Sequence, residues 1–110
     1  MGRHITILSY HLKEDAEEEF LSTWRLLNDL NFRYAGCLGA RIHRRDSDLN
    51  YYEYATWPDK ATYQRSSALL PPAALALRAR LRACCKRVEE AVELELLAEH
   101  LNKKLRRDYT

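Results

Sequence analysis

Alternation of apolar and polar residues opens the chain. Residues 4–12, HITILSYHL, are rich in β-branched and aromatic types and predict a strand. Ile5, Ile7, Ser9 and His11 share one side of it, and Thr6, Leu8, Tyr10 and Leu12 share the other. Both sides are mostly apolar over the first half, which predicts a strand covered on both faces. The period then lengthens. Ala16, Phe20, Trp24, Leu27 and Asn31 recur at helical spacing, with Leu30 and Tyr34 widening the stripe. Asp15 and Glu18 fit an Asp-x-x-Glu capping box at the start of this helix. Glu17, Glu18 and Glu19 place negative charge at the positive end of its dipole, and Gly36 is a natural stop.

Residues 37–45 alternate again, with Leu38, Ala40 and Ile42 opposite Gly39, Arg41 and His43. Asp46-Ser47-Asp48 is a turn cluster, so residues 50–57, NYYEYATW, predict the returning strand of a hairpin. Pro58-Asp59 closes that strand and starts a helix over 59–70. Pro71-Pro72 ends it, because proline disfavours helical geometry in the residue before it. Residues 73–86 are helical once more, with Ala74, Leu77, Leu81 and Cys84 or Cys85 on one face. The final segment supports two periods. Val92, Leu94 and Leu96 alternate with Glu93 and Glu95 as a strand with one wet face would, yet Ala91, Leu94, Ala98, Leu101 and Leu105 fit a helix, and Glu, Leu and Ala favour helices. Periodicity alone does not choose between them.

A length of 110 residues is that of one domain, here 1–110 with a core at about 4–98 and a tail at 99–110. So short a chain leaves much surface exposed and gains from burial in a dimer. Apolar residues make up 46%, which argues against wholesale disorder. Eighteen basic against 16 acidic residues, a net charge of +2, is too balanced to point to nucleic acid, and the basic cluster Lys103, Lys104, Arg106 and Arg107 reads as a solvated tail. No apolar run approaches the roughly 20 residues that span a bilayer. Polar residues interrupt the apolar stretch of MGRHITILSYHLKED, unlike a signal peptide, so a cytoplasmic location is expected. Cys37, Cys84 and Cys85 fit buried thiols in a reducing compartment better than a disulfide or zinc framework. Phosphate-loop, metal and Ser-His-Asp spacings are not found in the sequence.

Several segments together carry a resemblance: ITILSYHL, then EEEFLSTWRLL, then AGCLGARIHR before the hairpin, then YEYATWPDKATY, and finally VEEAVELELL. In this order they resemble the antibiotic biosynthesis monooxygenase family over about residues 4–98. The YEYATWPDKATY segment is the most diagnostic, being a strand that ends in Trp, followed by an acidic helix start and an aromatic. The resemblance implies a strand at about 89–97, with a helical tail left open beyond it. The implied fold is α+β, a ferredoxin-like βαββαβ chain with an antiparallel sheet that pairs with a second copy into a dimeric α+β barrel.

For function, the resemblance implies a cofactor-independent monooxygenase that oxidises a small phenol- or quinol-type aromatic with O2, without flavin or metal. Trp57 stands at the family's tryptophan position and Tyr63 at an aromatic position of phenol-oxidising members. Their N–H and O–H groups are suited to a substrate's oxygens, and their rings to a flat apolar slot. His11 is the candidate base, histidine being the side chain most often used for proton transfer near neutral pH. Tyr10, Tyr52 and Tyr54 are the candidate substrate-binding aromatics, with Tyr10 on β-strand one facing the other two across the sheet. Haem degradation is disfavoured, because residues 69–86 hold no histidine to ligate iron.

Plain core packing competes with each of these roles. The sequence therefore leaves open a non-catalytic ligand-binding or stress-related protein of the same fold. An RNA-recognition module shares the βαββαβ order, but NYYEYATW lacks the glycine and preceding basic residue of that signature.

Overall fold

A computed structural model describes residues 2–45 and 48–102. Asp46 and Ser47 of the turn and the basic cluster Lys103, Lys104, Arg106 and Arg107 lie outside these residues. The elements run β1 (His4–Leu12), α1 (Glu17–Leu30), β2 (Gly39–Arg44), β3 (Asn50–Trp57), α2 (Lys60–Leu69), α3 (Ala73–Ala83) and β4 (Cys85–Glu95). The four strands form one antiparallel sheet in the order β2-β3-β1-β4. This is the α+β, ferredoxin-like arrangement that the sequence predicts, with the second helical crossover split in two by Pro71-Pro72.

The helices cover one face of the sheet. Tyr10 and Leu12 of β1 and Tyr51 of β3 pack there against Phe20, Trp24 and Leu27 of α1 and Leu81 of α3. A smaller cluster joins Ala35, Cys37, Ala55 and Trp57 at the other end of the same face. The opposite face carries Ile5, Ile7, Tyr52, Tyr54, Val92 and Leu94, as the register shows. Cover of β1 on this second side is partial within one chain: Ile5 is buried at 4% exposure and Ile7 is half-buried, while Val92 and Leu94 of the neighbouring β4 are 55% and 45% exposed. The apolar residues on both sides of β1 thus reflect one helical layer and one face that is partly covered at β1 and open at β4.

Three local features depart from expectation, each for a physical reason. The capping box does not form, because Asp15 adopts a left-handed turn (φ 60°) between β1 and α1, and Ala16 takes the cap position with no side-chain hydrogen bond. Asp tolerates that conformation better than most residues. The acidic first turn is nevertheless present and gains partners: Arg44 Nη1 and Tyr51 OH donate to Glu17, and Arg80 Nη2 donates to Glu19 at 2.6 Å.

Second, α1 runs into a π-helical turn, Asn31–Ala35. The extra residue per turn rotates the stripe, so Ala35 faces inward and Tyr34 is 46% exposed instead of widening the core face. Gly36 ends it as expected, at φ 83°, where a Cβ would also meet Thr62 Cγ2 at 2.9 Å.

Third, the last segment is a strand, and it starts four residues earlier than expected because α3 ends at Ala83. Leu12 pairs with Cys85 and His4 with Glu95, so this start gives the whole length of β1 a second neighbour, with irregular register between Ile7 and Ser9 and between His11 and Leu12. Residues 96–102 follow without helix or strand. Among the described residues no helix is long and apolar enough to cross a membrane.

Candidate active site

Between the helix-covered face of the sheet and the three helices lies a cavity of about 270 Å³. Period-two geometry decides which strand residues reach it. Thr6, Leu8 and Tyr10 of β1 and Glu53 and Trp57 of β3 line its floor, while Asn28, Tyr63, Ser66, Arg78 and Arg82 approach from the helical side.

Glu53 organises the interior. Trp24 Nε1 donates to its Oε1 at 2.7 Å, and Tyr10 OH donates to the same oxygen at 3.3 Å. Oε2 has no protein partner among the described residues. No buried side-chain polar atom among the described residues lacks a hydrogen bond, so Oε2 is not sealed off, and the cavity that Glu53 lines is the space beside it. Burial holds the Glu53 carboxyl above the usual range, against the downward pull of the Trp24 and Tyr10 hydrogen bonds. Tyr10 is driven far above the ordinary phenol range by burial first and then by the Glu53 charge, so it stays a hydrogen-bond donor.

Trp57 and Tyr63 meet edge to face, with ring centroids 5.3 Å apart. The Trp57 N–H points to Thr6 Oγ1 at 3.3 Å, so the donor expected to meet a substrate is engaged within the protein. Tyr63 is only partly buried. Its hydroxyl has no hydrogen-bond partner among the described residues, and burial, followed by the charges of Glu93 and Glu53, raises its pKa. The His4 ring lies 5.4 Å from that of Tyr63, and His4 Nε2 is 2.8 Å from Glu93 Oε1. This buried histidine supports the back of Tyr63, a role with no signal in the sequence.

Of the residues singled out from the sequence, Tyr10, Trp57 and Tyr63 come together at the cavity. His11, Tyr52 and Tyr54 lie on the opposite, open face of the sheet. His11 pairs across the strands with Asn50 and holds Glu89 Oε1 at 2.8 Å through Nε2. Tyr10 pairs with Tyr51, so it does not face Tyr52 or Tyr54. The sheet stands between His11 and the cavity.

Glu53 was not singled out, although its signal is present. In NYYEYATW it shares a face with Tyr51, Ala55 and Trp57, making it a lone carboxylate on the inward side of an aromatic strand. Such an uncompensated charge marks a functional candidate.

No family model matches the chain, and no curated protein matches it by sequence. Solved structures do match. SnoaB of Streptomyces nogalater, a cofactor-independent oxygenase, superposes over 94% of this chain and 99% of its own with a TM-score of 0.68 at 21% identity. A protein of Bordetella bronchiseptica, named as a candidate antibiotic biosynthesis monooxygenase, matches over 89% of this chain and all of its own with a TM-score of 0.75 at 16% identity. A similarly named protein of Chloroflexus aurantiacus matches over 89% of this chain and 96% of its own with a TM-score of 0.72 at 13% identity. At these identities the likeness is one of fold.

Proposed function

We propose, from a chain that carries the fold of antibiotic biosynthesis monooxygenases, that it oxidises a small phenol- or quinol-type aromatic with O2 and without a cofactor. One observation carries this reading: an aromatic-walled cavity holds one carboxyl group, with one oxygen anchored by Trp24 and Tyr10 and the other accessible. A volume of about 270 Å³ is just below the roughly 300–1,000 Å³ of most ligand pockets, which suits one or two rings.

The chemistry then runs through Glu53, which takes the role that the sequence reading gave to His11. Ionised Glu53 accepts the substrate's phenolic proton on Oε2. The electron-rich anion passes one electron to O2, giving a substrate radical and superoxide, and these combine to form a C–O bond at a ring carbon. Protonated Glu53 returns its proton to the peroxide. Glu53 next removes the ring C–H proton as the O–O bond breaks, and the departing hydroxide takes that proton and leaves as water. The products are a quinone and one water, which accounts for both oxygen atoms. Trp57 and Tyr63 orient the ring, with Tyr63 OH available to a substrate oxygen.

Oxygen uptake with a panel of naphthols and hydroquinones tests the reaction. Trp57→Phe keeps the packing but loses the bond to Thr6, and is expected to lower kcat/KM about tenfold, the effect of roughly 1.4 kcal/mol. Unchanged turnover would remove Trp57 from the role. A second reading, ligand binding without chemistry, is favoured by the Trp57 N–H and Tyr10 O–H being engaged within the protein. Tight binding of these phenols with no oxygen uptake would select it.

The same reading makes the chain one cytoplasmic domain over 1–110 that works as a homodimer. Val92, Leu94, Tyr52 and Tyr54 on the open face would be covered by a second copy, closing the barrel. Sedimentation equilibrium is expected to give a dimer. A clean monomer at micromolar concentration would leave that face without its partner and end the barrel assignment.

A further inference from the structure

Three arginines lie on α3, and they are not equivalent. Arg80 is spent in an ion pair with Glu19 of α1, Nη2 to Oε1 at 2.6 Å. Arg78 and Arg82 are four residues apart, so they share a helix face, and both line the cavity. Arg78 Nη2 donates only to the neutral Ser67 Oγ at 3.3 Å. Arg82 has no ion pair among the described residues, and both side chains are exposed, which puts them at the cavity mouth. Glu53 is the one carboxylate among the lining residues, and burial favours its neutral form. The cavity therefore has an aromatic, weakly acidic interior and an uncompensated cationic rim.

We propose that Arg78 and Arg82 form an anion subsite, and that the ligand of this cavity is an aromatic carboxylic acid. Its ring enters between Tyr63, Trp57 and Tyr10, and its carboxylate stays at the mouth on the two guanidinium groups. The proposal rests on the reading of this cavity as the substrate site. A guanidinium presents paired N–H donors that match the two oxygens of a carboxylate, a geometry a lysine does not offer. The rim position lets the acid keep part of its hydration, so the ring is buried without burying the charge. It also fixes the direction of entry. With the carboxylate outside, the far end of the ring system, where a phenolic hydroxyl sits, points inward to Glu53.

Isothermal titration with 6-hydroxy-2-naphthoate and its methyl ester tests this in the absence of turnover. The wild-type protein is expected to bind the acid about 10–100-fold more tightly than the ester, the range of a hydrogen bond to a charged group. In the Arg78→Gln/Arg82→Gln double variant that preference is expected to vanish, with ester binding unchanged. Retained ester binding separates loss of the subsite from damage to the fold. Equal affinity of the wild-type protein for acid and ester overturns the anion subsite and leaves the aromatic cavity standing. A preference that survives the double variant overturns the assignment to these two arginines. If neither probe binds, the substrate-site reading falls and takes the subsite with it.

Discussion

Glu53→Gln is expected to make the protein more stable and less active at the same time. Glutamine keeps an Oε1 to accept from Trp24 Nε1 and Tyr10 OH, the two bonds that hold the native side chain. What it removes is a charge that burial opposes. The sign follows from linkage. Folding raises the Glu53 pKa, so the native state holds this proton more tightly than the unfolded chain does. That contribution to stability is fully present below the unfolded value of roughly 4.3 and is lost as pH rises through the folded value. Wild type and variant should therefore be equally stable near pH 4. At pH 8 the variant should be the more stable of the two, with the higher Tm, and the gap should close as pH falls towards 4.

Turnover should respond the opposite way, with kcat/KM falling about 100–10,000-fold, as for the loss of a general base. In the wild-type protein kcat/KM should rise with pH through the folded Glu53 pKa, because only the ionised carboxyl accepts a proton. A variant that is less stable at every pH while turnover persists would make Glu53 a structural acceptor for Trp24 and Tyr10, and nothing more.

Phe20→Ala carries the largest expected cost in stability. Phe20 is fully buried on α1, with its ring 5.1 Å from that of Tyr10 and 5.6 Å from that of Tyr51. Truncation loses both ring contacts and leaves a void where α1 meets β1 and β3, costing about 3–5 kcal/mol. A domain with a total stability of roughly 5–15 kcal/mol is brought close to unfolding by that change. Urea titration should show a lower midpoint with an unchanged slope, and Phe20→Leu, which keeps most of the apolar volume, should lose less than half as much. A cost below about 1 kcal/mol for Phe20→Ala would mean that α1 collapses into the gap, a degree of adaptability unusual for a close-packed interior.

The elements were legible where a single local rule decides the conformation. Pro71-Pro72 separates two helices wherever it occurs, and Gly36 ends its helical segment because its φ excludes other residues. Asp59 caps α2 through Thr62 N at 2.7 Å as the Pro-Asp signal predicts. Legibility failed where two rules compete. Asp15 suited both a cap and a left-handed turn, and the geometry of entry from β1 selected the turn. The π-helical turn at Asn31–Ala35 moved Tyr34 outward, a one-residue shift that ideal helical spacing cannot register. Residues 85–95 suited both helix and strand, and pairing with β1 selected the strand.

The candidate site divides in the same way. From the sequence alone came an aromatic strand ending in Trp57, a helix carrying Tyr63, and the two-residue alternation that separates Tyr10 from His11. Those depend on local spacing, and local spacing is written in the chain. Which side of the sheet the helices cover is a non-local choice. It placed Tyr10, Trp57 and Tyr63 at a cavity, left His11, Tyr52 and Tyr54 on the open face, and set Glu53 beneath Trp24, 29 positions away. Burial changes the proton affinity of a carboxyl, and burial is a property of the packed layers, not of the strand alone. The sequence by itself determined an aromatic slot. Only the tertiary structure decided which acid stands inside it and which arginines stand at its mouth.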